Sequence, residues 1–329
     1  MKRRDLACAL GLGLTGLSAA TRTWAQAGGW PSRPVRWVIP YPAGGPVDAV
    51  GRKLAEAMGS RLGQPVVIDN KGGANGSLGT GEVARAAPDG HTFLLTITDT
   101  LVNNAVLFRQ LGYDPRKDFE LLSQVGASPV VMMANADVPA RNVAELAALA
   151  GRPGSQLSYG SWGPGSFAHL LAEGLKSRLK IEMVHAPYRG AAPAIQDLAA
   201  KQISVSFGPV NLAAQLIQRG MVKALAVTGD APVAQLPGVQ TFAAQGLGDP
   251  LFRTRLWMGL AAPKGLPPEI ARRMVGELQA VLKQPEIASF IQGVGFEVIG
   301  SGPEQFANVF AADFPVITRM IQDLKVELQ

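Results

Sequence analysis

The chain has 329 residues, of which 47% are hydrophobic and 17% charged, with 38 glycines, 24 prolines and a formal charge of +6. The length points to about two domains with room for a sizeable core, and the Gly and Pro content favours many short connections over long solvated helices. The basic residues are scattered, and no Lys/Arg run is interleaved with aromatics, so nucleic-acid binding has no support.

The first residues read as a leader rather than as fold. Lys2, Arg3 and Arg4 precede an apolar stretch from Leu6 to Ala20, which is too short to span a bilayer. Small residues at Thr23 and Ala25, or at Ala25 and Ala27, fit a signal-peptidase site. The expectation is a secretory signal over residues 1–27, cleaved near Ala25 or Ala27, with Sec and twin-arginine export both open. Cys8 is the sole cysteine, and it lies at the start of the apolar stretch rather than after it, which argues against lipidation. The mature chain then has no disulfide, no thiol nucleophile and no cysteine metal ligand. The leader carries four Lys/Arg and one Asp, leaving 27 basic and 24 acidic residues, or +3.

A strand, Gly/Pro turn and helix pattern then recurs along the chain. Val35–Ile39 runs into Pro40-Tyr41-Pro42-Ala43-Gly44-Gly45-Pro46, and Val47, Val50, Leu54 and Met58 follow at helical spacing. Val66–Ile68 leads through Asn70–Gly76 to a helix ending near Ala86, and Phe93–Ile97 leads to Thr98-Asp99-Thr100. Val130–Met133 reads as a strand, and Asn142 with Glu145 as a capping box. Leu157–Tyr159 leads to Gly160-Ser161-Trp162-Gly163-Pro164-Gly165-Ser166 and a helix. Met183–Tyr188 leads to Arg189-Gly190-Ala191-Ala192-Pro193 and a helix, and Ile203–Phe207 meets Gly208-Pro209. Ala224–Thr228 and Met258–Ala261 are further strands. Pro268 starts one helix, and Ser301 with Glu304 opens a last one, expected to bend at Pro315.

Strands alternating with helices predict an α/β protein with mainly parallel sheets. In such sheets ligands sit at the carboxyl ends of strands, beside helix N-termini that offer unpaired N–H groups and a positive dipole end. The Gly/Pro loops are those places. Each alone is explained as a tight turn; several after successive strands suggest a shared carboxylate or phosphate site.

At these loops the sequence resembles the tripartite tricarboxylate transporter substrate-binding proteins, also called TctC or Bug proteins. The resemblance runs from about Pro31 to Lys325. It rests on Pro42-Ala43-Gly44-Gly45 with Asp48 and Arg52, Leu62-Gly63-Gln64-Pro65, Gly73-Ala74-Asn75-Gly76 and Ala87-Pro88-Asp89-Gly90. Further matches are Tyr113-Asp114-Pro115, Gly163-Pro164-Gly165-Ser166 with His169-Leu170, His185-Ala186-Pro187-Tyr188-Arg189-Gly190 and Gly259-Leu260-Ala261-Ala262-Pro263.

The resemblance implies a two-lobed type II periplasmic-binding-protein fold, or Venus flytrap. One lobe is expected from residues 30–125 and 251–329, the other from 126–250. The family implies a carboxylate in the cleft, held by backbone amides and water. Tyr41, Ala43, Gly44, Gly45 and Thr98 would form one wall. Ser161, Trp162, Gly163, Gly165, Ser166, Gly190, Ala191 and Gly208 would bear on the site from the other. Gly208 stands where many members have Asp, and Trp162 where a small residue is common. Together these departures favour a carboxylate with an apolar or aromatic body over an amino acid or a tricarboxylate.

Simpler roles are expected for several polar residues. Asp48 complements its helix dipole and pairs with Arg52 four residues on. Ser166 is an N-cap whose amide also faces the ligand. His169 orients its loop, Arg189 is a surface residue, and Lys71 is solvated.

Enzyme readings find no footing. Gly11-Leu12-Gly13-Leu14-Thr15-Gly16 matches a dinucleotide fingerprint by letter, but it lies in the leader with no strand before it. The three histidines lack metal-ligand spacing, and no acid/base carboxylate pair is identifiable. The expectation is a monomeric capture protein that binds no metal or cofactor and closes on a small organic carboxylate. It would deliver that ligand to the membrane permease subunits of a tripartite tricarboxylate transporter. The alternative is an extracytoplasmic sensing component presented to a kinase.

Overall fold

The computed structural model describes residues 29–324. The expected leader, with Cys8 and the Gly11–Gly16 match, lies outside the described residues. β1 (Val35–Ile39) is followed by α1 (Pro46–Leu62), which starts at an extended Gly45 with Pro46 in the first turn. Pro there presets the helical φ and lacks an N–H that would go unpaired in any case. Val47, Val50, Leu54 and Met58 are buried along one face of α1, at the spacing the sequence gives. β2 (Val66–Asn70), α2 (Ser77–Ala84) and β3 (Thr92–Ile97) complete the first parallel unit, with β1 between β2 and β3.

After β3 the chain does not make a simple turn. Asp99–Asn103 coils as a short π-helical segment that runs into α3 (Asn104–Leu107). β4 (Phe119–Ser128) then leads through Pro129 into β5 (Val130–Asn135), the first strand of a second sheet. That sheet is built with α4 (Val143–Ala150), β6 (Ser158–Ser161), α5 (Phe167–Leu179), β7 (Val184–Pro187), α6 (Ala191–Ala199), β8 (Val205–Pro209), α7 (Val210–Gln218) and β9 (Val222–Val227). α8 (Pro250–Arg253) and β10 (Leu256–Pro263) return the chain to the first sheet. α9 (Pro268–Leu282), α10 (Pro285–Val294), β11 (Glu297–Val298) and α11 (Pro303–Asp323) finish it.

The strand orders are β11-β4-β10-β3-β1-β2 and β7-β6-β8-β5-β9. This is a two-lobed α/β fold, and residues from Pro31 onward form one compact unit. The expectation of mainly parallel sheets is corrected. β1, β2 and β3 are parallel, as are β6, β7 and β8, but β5 and β10 run antiparallel to both their neighbours. The reason is connectivity. β5 and β10 are the strands by which the chain enters one sheet from the other, so they do not follow the strand–helix–strand crossover that makes neighbours parallel. The crossing is pinned by paired hydrogen bonds between Val130 N and Thr228 Oγ1 and between Thr228 N and Val130 O, both 2.9 Å.

Two local expectations meet different outcomes. Asn142 caps α4 by accepting from Glu145 N at 2.8 Å, as the pattern predicts. Ser301 does not open α11. Gly302 is the N-cap, and Ser301 Oγ accepts from Gln124 N of β4 at 3.0 Å, so its hydroxyl joins helix entry to sheet. α11 continues as one helix through Pro315.

Candidate functional site

The first-lobe loop is braced from behind. Asp48 Oδ2 accepts from Gly44 N at 2.8 Å and from Arg52 Nε at 3.1 Å. Arg52 Nη2 donates to Asn70 Oδ1, and Asn70 Nδ2 donates to Tyr41 O. Burial alone would push the Asp48 carboxyl up, but Arg52 and the Gly44 amide hold it below its usual range. This is the structural role expected for Asp48. With Gly44 fixed at φ +85, the turn presents Ala43, Gly44 and Gly45 outward, and no side chain caps α1. A Cβ at Gly44 would meet no atom within 4 Å, and one at Gly45 only Pro42 O at 3.7 Å, so the loop borders open space.

Tyr41 lies beside this loop with its hydroxyl 3.3 Å from Thr96 Oγ1. Burial and the neighbouring Asp99 carboxylate push that hydroxyl well above the usual phenol range. Thr98 is fully buried, and its hydroxyl accepts from Trp257 N of β10 at 3.2 Å, so its side chain is committed to the fold.

The second-lobe loop is built differently. Gly163 N donates to Ser161 Oγ (3.2 Å), Gly165 N to His169 Nδ1 (3.0 Å), and Ser166 N to Gly163 O (3.2 Å). Ser166 Oγ accepts from His169 N, which is the expected N-cap. Pro164 has no N–H to offer. Phe167 N, at the start of α5, donates to Asp99 Oδ1 across the lobes at 3.2 Å. The expectation that the amides of Gly163, Gly165 and Ser166 point at a ligand is not what the geometry shows, because each already has an acceptor inside the loop. Gly190 and Ala191 present a second uncapped helix start at α6, with open space beside Gly190.

Two histidines organise that loop. Tyr159 and His185 occupy paired positions on β6 and β7, and their rings stack at 4.7 Å; His169 stacks on His185 at 4.4 Å. His185 Nε2 lies 2.7 Å from Ser161 Oγ. Because His169 Nδ1 accepts from Gly165 N, its proton sits on Nε2 and the ring is neutral. Burial pushes His169 below its usual range, and burial with the adjoining His169 and Lys176 pulls His185 down to about 4 despite Glu173. Ser161 is itself fully buried, so its pairing with His185 orients the loop rather than arming a nucleophile.

Gly208 is corrected as a site residue. It sits in β8, where a Cβ would lie 2.6 Å from Ile195 Cδ1 and 3.1 Å from Met133 Cε. Its side-chain direction faces the core under α6, so the absence of Asp there carries no information about an ammonium group. Trp162 is half-buried, and its Nε1 donates to Asp99 Oδ2 at 3.0 Å. Arg189 is exposed, and Lys71 is exposed 3.8 Å from both Asp69 and Glu82.

Sequence reasoning missed Asp99, Asn103 and the stacking of His185. The Asp99–Asn103 spacing of four was the only local signal. The other contacts depend on strand register and on the facing lobe. A cavity of about 460 Å³ lies by the crossing strands, lined by Pro129, Thr228, Arg255, Phe296 and Glu297 among others, and includes none of the expected binding residues. Its cation, Arg255, is paired with Glu297 at 2.6 Å, so it offers no free charge to a carboxylate.

Comparison with known proteins follows the same lines. The model of the tripartite tricarboxylate transporter family receptor, TctC, matches residues 50–326. The periplasmic binding protein BugD is similar at 35% identity and a TM-score of 0.82, over 91% of this chain and all of that one. MatC from Rhodopseudomonas palustris, solved with bound malate, is 29% identical with a TM-score of 0.81, over 89% of this chain and 100% of that chain. An R. palustris protein solved with adipate is 28% identical with a TM-score of 0.82, over 91% and 99%. The chain belongs to the tripartite tricarboxylate transporter receptor family, TctC.

Proposed function

We propose that the chain is a periplasmic solute-binding protein that captures a small organic carboxylate between its lobes. Delivery to the membrane subunits of a tripartite tricarboxylate transporter follows. The observation that carries this is the uncapped start of α1 behind Ala43-Gly44-Gly45, bordered by open space and braced by Asp48 from the other side. Unpaired first-turn amides at the positive end of a 17-residue helix suit a carboxylate without a charged side chain. The α6 start at Gly190 and Ala191 supplies the second set of donors. The malate and adipate bound by related proteins fit this chemistry.

The lobes are residues 30–125 with 251–329, and 126–250. Sheet membership supports this division to within a few residues, since β4 keeps 126–128 in the first sheet, which the chain leaves at Pro129 and rejoins with β10. The binding unit is a monomer. The basic start and short apolar stretch export it, so periplasmic protein begins near Gln26 or Gly28 on N-terminal sequencing. Cytoplasmic protein retaining Met1 would contradict export.

Ligand binding to the folded state alone raises its melting temperature. A thermal-shift panel on the mature chain tests the reading, with malate, adipate, aromatic monocarboxylates, amino acids and the matching neutral amides. Carboxylates should raise the melting temperature and the amides should not. A shift by amides alone, or by no carboxylate, would overturn it.

A further inference from the structure

Asp99 is fully buried and comes from the first lobe, yet most of what it holds belongs to the second. Its Oδ2 accepts from Trp162 Nε1 at 3.0 Å, and its Oδ1 from Phe167 N at 3.2 Å. Asn103, four residues on, donates from Nδ2 both to Asp99 Oδ1 at 3.0 Å and to Gly165 O at 3.1 Å. The two surfaces are also fitted sterically. A Cβ at Gly165, whose φ is +75, would lie 2.3 Å from Leu107 Cδ1 of α3, so both the backbone and the close approach favour glycine. A carboxylate in a dry site needs its donors, and two of the three bonds to Asp99, together with the Asn103 bond to Gly165 O, run to the other lobe and would break if the lobes parted.

We propose that Asp99 and Trp162 form a latch that holds the lobes together independently of ligand, with the Asp99 carboxylate accepting at the start of α5 from Phe167 N. The indole is therefore a donor to the other lobe, and its N–H is unavailable for the ligand. The latch rests on the two-lobed fold and not on which solute is bound, so its test needs no ligand.

The mature chain holds no cysteine, which leaves introduced thiols unique. Val67→Cys on β2 and Val184→Cys on β7 place spin labels at sites 50% and 67% exposed, one in each lobe. Pulsed dipolar distances on the ligand-free protein should show one dominant closed population. Trp162→Phe keeps the ring bulk but removes the N–H, and should lower the closed-to-open ratio about tenfold or more, the scale of one hydrogen bond to a charged group. Asp99→Asn should open the lobes at least as far. Adding Trp162→Phe to it should have a smaller effect than in the parent, because an amide accepts at one oxygen where the carboxylate accepts at two. If Asp99→Asn does not fold, Trp162→Phe alone decides. An unchanged distance distribution in folded Trp162→Phe protein, or a parent that is mostly open without ligand, would overturn the latch.

Discussion

The loops at Ala43–Gly45 and Gly163–Ser166 look alike in sequence, each a Gly-rich turn from a strand into a helix, but they differ in what their amides do. The first is held from behind by Asp48, Arg52 and Asn70, and leaves the start of α1 uncapped. The second spends its own amides on Ser161, His169 and Gly163, and gives the start of α5 to Asp99. A Gly-rich turn therefore marks where an anion site fits, while the acceptors around it decide whether the site is open. The start of α1 is left uncapped although Asp48 holds Gly44 from behind, whereas the start of α5 is taken by a carboxylate of the facing lobe.

The largest expected effect is at Gly45. Its φ of −80 and ψ of 170 are the extended values a residue before proline adopts, so a side chain is tolerated by the backbone. Gly45→Leu should fold normally yet weaken carboxylate binding about 100-fold or more in calorimetry, by filling the space beside the α1 amides. Full affinity in that variant would erase the difference between the two loops.

Next is Gly165→Ala in the closed loop. At φ +75, with Leu107 in the way, the added methyl should cost about 1–3 kcal/mol in urea unfolding. The same change at Gly45 should cost well under 1 kcal/mol. Equal costs at the two positions would show that the second loop is not the packed one.

The histidine stack sharpens the comparison through pH. The His185 pKa is lowered to about 4 by burial, His169 and Lys176, opposed by Glu173. The unfolded chain therefore binds more protons between the usual histidine pKa of about 6.5 and 4, and stability is lost as pH falls through that window. Asp99 acts oppositely. Burial raises it to about 6 despite its donors from Trp162, Phe167 and Asn103, so its contribution favours the fold at low pH and is lost as pH rises through about 6. His185→Gln should flatten the acid-side fall in urea midpoints while keeping a partner for Ser161; an unchanged profile would show that His185 is not the titrating group.

The smallest effect belongs to Asp48. Asp48→Asn removes the charge that pairs with Arg52 and weakens the bracing of Gly44, but the Arg52 side chain is 55% exposed, so the ion pair itself is worth less than about 1 kcal/mol. Binding should weaken a few-fold through the loosened loop. A change larger than that of Gly45→Leu would place the carboxylate of Asp48, rather than the turn, at the centre of recognition.

Much of the fold is legible in the sequence because local chemistry decides it. Pro46 and Pro268 start helices, Asn142 and Ser166 cap them, and the buried face of α1 follows its apolar spacing. What the sequence hides depends on partners far along the chain. The antiparallel course of β5 and β10 follows from how the chain crosses between sheets. Gly208 reads as a missing ligand residue until Ile195 and Met133 are seen against it. Trp162 reads as a ligand platform until Asp99, 63 residues earlier, is found to accept its N–H. The site is legible as a set of loops, but which of their amides are free is fixed only by the facing lobe.

The central claim is that a ligand carboxylate is held by the open start of α1. Calorimetric titration of the mature protein with malate or adipate, whichever shifts its melting more, tests this directly when repeated with the corresponding dimethyl ester. Removing the charge leaves the carbon skeleton and removes the anion that the helix start favours. One-site binding of the acid, with the ester about 100-fold weaker or silent, is the predicted result. Binding of the ester as tight as that of the acid would contradict the account.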